Sequence, residues 1–184
     1  MKTLVINLIG GPGCGKSTIA AELFSRLKKM GVTSELVTEY IKERIYEENK
    51  TIPFNQIAIF GNQNYMINNK IGKVECIIQD GSFLNNIIYT KENTGEDNPE
   101  FYQLLISEYK KFNNLTFFID RGTIPFETYG RIHSHEQSLE LDKKIKKVYD
   151  DNNFEYISVE SRDAVDKMIP IILAKIEEFR TKNK

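Results

Sequence analysis

The run Gly10-Gly11-Pro12-Gly13-Cys14-Gly15-Lys16-Ser17 constrains the fold of this chain more than any other eight residues in it. It fits G-x-x-x-x-G-K-[ST], a loop whose successive backbone N–H groups wrap an anion while a lysine and a hydroxyl complete the cradle. Such a loop works between a strand and a helix, because the helix N-terminus adds orphan N–H groups and the positive end of its dipole. The flanks comply. Thr3–Ile9 is a continuous apolar run, and Lys16–Met30 carries Ile19, Ala20, Leu23, Phe24 and Leu27 at helical spacing before Gly31 stops it. The pattern assigns Gly11, Pro12, Gly13, Cys14, Gly15, Lys16, Ser17 and Thr18 to a phosphate-bearing nucleotide. Lys16 reaches its β- and γ-phosphates and the Ser17 hydroxyl its Mg2+ ion, so ATP with Mg2+ is the expected pair.

The rest of the chain alternates short β-like runs with longer helical stretches. Strands are expected at Thr3–Ile9, Ser34–Thr38, Val74–Gln79, Leu115–Ile119 and Phe154–Val159. Helices are expected at Lys16–Met30, Tyr40–Glu48, Asn55–Ile71, Phe83–Tyr89, Pro99–Phe112, Ser138–Asn152 and Asp163–Lys182, the last interrupted at Pro170. Strands without internal alternation, separated by helices, predict a parallel sheet covered on both faces. The 184 residues suit one three-layer α/β domain over 1–184, with no linker or repeat to divide it. Ligands of such sheets sit at the carboxyl ends of the strands. There the chain places Gly10–Ser17, Glu39, Asp80 and Asp120.

Those acids suggest roles. Phosphoryl transfer needs one carboxylate near the metal, usually acting through water, and one beside the attacking hydroxyl to accept its proton. Asp80, after an apolar strand, is the metal-associated candidate together with Ser17. Glu39, at the end of the second strand, is the candidate base, because a base must sit by the acceptor and away from the metal, and Asp120 competes for both roles. The segment of about 121–137 is polar and irregular, and it holds Arg121 and Arg131, two of only six arginines. Arginines on a mobile lid would meet the charge that develops on the transferring phosphoryl group and exclude water. Between the second and third strands, Tyr40, Arg44 and Gln63 are candidates for the acceptor pocket, with Phe60 and Tyr65 as either pocket or core. His133 and His135 lack a third ligand and make no convincing metal site.

Charge and cysteine content narrow the class. Lys plus Arg number 25 against 26 Asp plus Glu, a net charge of −1, so net charge does not hold this protein on nucleic acid. Two cysteines make no disulfide framework, no run reaches the roughly 18 apolar residues of a membrane span, and the opening run is too short for a secretory leader. A cytoplasmic location without membrane contact is expected. A GTP switch would carry an Asn-Lys-x-Asp base-reading motif, which is missing here.

With these residues assembled, the chain resembles the P-loop nucleoside and nucleotide kinases, in particular the ribosylnicotinamide kinase domain and related bacteriophage P-loop kinases. The likeness is carried by GGPGCGKS, Thr38-Glu39-Tyr40, Gln63-x-Tyr65, Gln79-Asp80-Gly81-Ser82 and Gly130-Arg131. Deoxynucleoside kinases are a second comparison. They carry Thr-Glu-Pro where this chain has Thr38-Glu39-Tyr40, with that Glu as base, and Glu-Arg-Ser where it has Asp80-Gly81-Ser82. The absence of arginine at position 81 departs from a strict deoxynucleoside kinase. The resemblance implies a P-loop NTPase fold with a lid, and ATP-dependent phosphorylation of a nucleoside or nucleotide hydroxyl. A homodimer is compatible with it. Two alternatives stay open: a kinase acting on hydroxymethyl pyrimidines in DNA, and a non-kinase P-loop ATPase coupled to a partner.

Overall fold

The computed structural model describes residues 1–41, 44, 47, 51, 55–122 and 134–182. Its centre is a five-stranded sheet, β1 (Leu4–Ile9), β2 (Ser34–Val37), β3 (Cys76–Asp80), β4 (Asn113–Asp120) and β5 (Ile157–Glu160). The spatial order is β2-β3-β1-β4-β5 and every pairing is parallel. β1 is central: Ile6 stands between Ile78 of β3 and Leu115 of β4. All six of its residues are buried, which is why LVINLI reads as an unbroken apolar run rather than an alternating one.

Alternate β1 residues feed two cores. Leu4, Ile6 and Leu8 face α1 (Lys16–Lys29) and α6 (Ala164–Thr181), where Leu23, Leu27, Met168 and Ile172 pack against them. Val5 and Ile9 face the opposite layer, built by α2 (Gln56–Asn68), α3 (Asn86–Thr94), α4 (Pro99–Tyr109) and α5 (His135–Asp151). Each fully buried Leu or Ile contributes about 1.5–3 kcal/mol. In the second layer Phe60 meets Phe83 and Phe101 edge-on, with ring centroids 5.4 and 5.9 Å apart, so Phe60 belongs to the core. Tyr65 is exposed.

Local chemistry sets the helix ends. Asn55 and Asn98 cap α2 and α4 by accepting the N–H of Ala58 and of Phe101, and Pro99 opens α4 where its missing N–H costs nothing. Arg26, Lys28 and Lys29 close α1 at the negative end of its dipole. Four sequence expectations shift. Ser134 and Gln137 form a capping box, so α5 begins at His135, inside the stretch read as lid. α3 runs past the expected end at Tyr89 to Thr94, and stops at Gly95, whose φ of 74° is left-handed. Pro170 does not interrupt α6. β5 starts at Ile157, because Phe154 and Tyr156 pack their rings on Tyr149 instead of pairing.

Candidate functional site

The carboxyl ends of β1, β2 and β3 lie side by side and deliver the glycine loop, Glu39 and Asp80 to one edge of the sheet. Between β1 and α1 the loop reverses through Gly13 and Gly15, with φ of 81° and 92°, angles that a residue with Cβ adopts at a cost. α1 starts directly after it with no side-chain cap, which leaves the first N–H groups of the helix available to an anion. Ser17 and Thr18 are exposed on that first turn.

Lys16 folds back over the loop. Its Nζ donates to the carbonyls of Gly10 at 2.8 Å and Gly11 at 2.9 Å, and lies 3.7 Å from Cys14 Sγ. Burial alone pushes the ammonium down. Electrostatic interaction with Cys14, Glu39, Asp80 and Asp142 outweighs it and holds Lys16 above the ordinary lysine value. Asp80 is buried, and among the described residues no donor reaches its Oδ1. An orphaned buried carboxylate oxygen suits a hydrated divalent cation, so the site fits the Mg2+ that Ser17 and nucleotide phosphates would share. Among the described residues no group of three or more His, Cys, Asp and Glu could hold a metal by itself. Glu39, half-buried, follows the end of β2 and acts electrostatically on Lys16.

Placement narrows one expectation and corrects another. The Cys14 side chain is fully buried in the core that also holds Leu8, Ile19 and Ala20, leaving only its backbone to the cradle. Arg121 is not on an open lid. It is 8% exposed, and its guanidinium turns toward α5 and the back of the glycine loop. Nη2 and Nε donate to Asp142 Oδ2 at 2.6 and 3.2 Å, Nη2 to Ser138 Oγ at 2.8 Å, and Nη1 to the Pro12 carbonyl at 3.3 Å. Arg131 lies outside the described residues, as does His133. Asp120 is exposed and accepts the Gly122 N–H at 3.2 Å, a local turn contact.

On the acceptor side, Arg44 stacks over the Tyr40 ring at 5.1 Å and pairs with Glu47 at 2.9 Å. Gln63 is buried in α2 and its Oε1 accepts from Asn86 Nδ2 at 3.5 Å. Asn86 and Tyr89, both on α3, were not singled out by the sequence. Burial raises the Tyr89 hydroxyl well above the ordinary tyrosine value, and Glu39, Cys14 and Asp142 add to the effect, so Tyr89 stays protonated beside the proposed base. A cleft of about 320 Å3 is lined by Asn55, Gln56, Thr90 and Phe101 among others, none of them in the glycine loop.

The residues missed on α5 had a sequence signal. Leu141, Ile145 and Tyr149 mark its buried stripe, and Ser138 occupies the same stripe one turn earlier. A serine where the pattern calls for an apolar side chain marks a special contact.

Residues 5–167 match the model of the AAA domain family. No curated protein matches the chain in sequence. Among solved structures, deoxyadenosine kinase from M. mycoides with dCMP and dCDP bound superimposes with a TM-score of 0.58 at 21% identity, covering 95% of this chain and 99% of that one. The same enzyme with dATP gives 0.54 at 20% identity, with coverage again 95% and 99%. Thymidylate kinase from Ehrlichia chaffeensis gives 0.65 at 14% identity, covering 94% and 100%. At these identities the likeness is one of fold: the sheet and its helices are those of the P-loop kinases. Among the described residues no helix is long and apolar enough to cross a membrane.

Proposed function

The chain belongs to the AAA domain family, and on that footing we propose that it is an ATP- and Mg2+-dependent phosphotransferase acting on a hydroxyl of a nucleoside or nucleotide. The observation that carries the reading is that neighbouring strand ends bring Glu39 and Asp80 within electrostatic reach of Lys16, Asp80 buried with an Oδ1 that no donor among the described residues reaches and Glu39 half-buried. A hydrolase needs to position water; a kinase needs a second carboxylate set aside for the acceptor.

In this reading residues 11–18 wrap the phosphates and Lys16 bridges the β- and γ-groups. Asp80 and Ser17 would hold Mg2+, which would supply charge neutralisation at the phosphate oxygens. Glu39 orients the acceptor hydroxyl and takes its proton as the phosphoryl group moves. Tyr40, Arg44 and Gln63 line the acceptor side, and Gln63 with Asn86 offers a paired amide edge to a base. Arg131, on the lid segment, meets the transferring group. That the neighbouring folds bind deoxynucleotides supports a nucleoside or nucleotide acceptor.

The test is turnover of ATP against a panel of nucleosides, nucleotides and DNA, with the parent chain and Glu39→Gln. Acceptor-stimulated turnover with phosphate in the product is expected. Glu39→Gln keeps shape and hydrogen bonding but loses the base, and lowers turnover by about 10²–10⁴-fold with ATP affinity unchanged. Free phosphate released without any acceptor would replace the kinase by an ATPase. A strict need for polymer, with steep salt dependence, would move the acceptor to bases in DNA.

A further inference from the structure

The Gly11–Pro12 limb of the glycine loop is held from behind by α5. Asp142 Oδ1 accepts the Gly11 N–H at 2.5 Å, and Ser138 Oγ donates to the Pro12 carbonyl at 2.5 Å. Arg121 closes the ring, binding Asp142, Ser138 and the same Pro12 carbonyl. All three side chains are buried or nearly so. The fit is close enough that a Cβ on Gly11 would stand 2.4 Å from the Ser138 carbonyl and 3.0 Å from Asp142 Oδ1.

We infer that Arg121, Ser138 and Asp142 are positioning residues that fix the outer limb of the phosphate loop, and that they govern nucleotide affinity rather than the transfer step. Proline brings no N–H to the cradle, so what matters at position 12 is where its carbonyl points. A carbonyl turned inward would repel phosphate. Ser138 and Arg121 hold it outward. Asp142 is a carboxylate beside an anion site, an arrangement that costs binding unless its charge is matched, and Arg121 matches it. The inference rests on reading residues 10–17 as a nucleotide cradle.

The test is calorimetric binding of Mg-ADP without acceptor, and kcat at saturating ATP, for Ser138→Ala, Asp142→Asn and Arg121→Lys. The parent is measured first: if it binds no nucleotide, the cradle reading itself fails. Loss of one hydrogen bond to the loop corresponds to roughly a fivefold weaker complex for Ser138→Ala, and loss of the charged one to about tenfold or more for Asp142→Asn. Both keep kcat within about threefold, because the contacts are the same in ground and transition states. Arg121→Lys is intermediate, since an ammonium cannot span three acceptors as the guanidinium does. The sign for Asp142→Asn decides against a merely electrostatic role, for removing negative charge near an anion site would by itself tighten binding. A merely structural role would lower the melting temperature and leave Mg-ADP affinity of the folded protein unchanged. Unchanged or tighter binding in Ser138→Ala and Asp142→Asn overturns the inference, as does a kcat loss in Arg121→Lys at unaltered affinity. Should Asp142→Asn fail to fold, Ser138→Ala decides, because alanine favours the α5 helix.

Discussion

Replacing Gly11 by alanine puts a methyl group in place of a hydrogen, and the structure says where it goes. The new Cβ would meet the Ser138 carbonyl at 2.4 Å, Ser138 Oγ at 2.8 Å and Asp142 Oδ1 at 3.0 Å. The first of these is helix backbone and cannot swing aside. Overpacking of this kind costs about 1–3 kcal/mol. If the loop instead withdraws from α5, the Gly11 N–H leaves a carboxylate, a loss of about 1.5–3 kcal/mol for a hydrogen bond to a charged group. Either route gives about 1–3 kcal/mol, roughly 2–12 °C in melting temperature for a chain of this size. Gly61 is the matched control. It lies within α2, and a Cβ there meets nothing within 4 Å. Gly61→Ala is expected to stabilise by about 0.5–1 kcal/mol, through helix propensity alone. Urea titrations of both variants, read at the midpoint with an unchanged slope, measure the two signs. Gly11→Ala with the midpoint and the Mg-ADP affinity of the parent would refute the reasoning, since it would mean that α5 does not press on the loop.

Two further outcomes follow from burial and charge. Cys14 and Cys76 are both fully buried, and burial pushes the Cys76 thiol up to about 12; both are expected to resist alkylation in the native protein, with or without nucleotide, and to react on unfolding. Rapid native labelling of Cys14 would show that its side chain faces the cradle after all. Glu75 accepts Arg180 Nε at 2.7 Å and the Thr33 N–H at 2.8 Å, and these partners hold it below the usual carboxylate value. A lowered folded-state value means its contribution is complete above about pH 4.5 and is lost as pH falls through that lowered value. Glu75→Gln is therefore expected to cost about 1 kcal/mol at neutral pH, a deficit that shrinks under acid; a deficit independent of pH would remove the ion pair as its cause.

What could be read from the sequence was local. GGPGCGKS announced itself because its glycines, lysine and serine act through backbone geometry at adjacent positions, and the apolar runs of β1, β3 and β4 did so because both faces of the sheet are covered. Glu39 and Asp80 were found through strand ends. What escaped was set by partners distant in the chain. Arg121 read as a lid arginine because scarcity and glycine neighbours are all the sequence offers; its burial depends on α5 returning from 21 residues further on. Nor was the burial of the Cys14 side chain legible, because which way a loop side chain points is decided by the core beneath it. The α3 extension failed for a different reason. Thr90 and Thr94 are poor helix formers by composition, but each hydroxyl donates to the carbonyl four residues back, Asn86 and Thr90 in turn, and the helix tolerates them.

The bracing of the glycine loop has a consequence for the order of events during folding. The Gly11–Asp142 and Pro12–Ser138 contacts join residues 131 and 126 positions apart, and β1 has no partner strand until residues 76–80 and 113–120 arrive. A ribosome therefore delivers the nucleotide-binding motif first and its supports last. On the reading proposed above, the loop lacks the contacts that fix it until α5 has been synthesised and docked, so nucleotide would not template the early chain. It acts only on the finished sheet, by mass action. Sequence-distant closure of this kind also slows the search for the native pairing. The interval in which β1 is made but unpaired is when this protein depends most on being kept from other chains' strand edges.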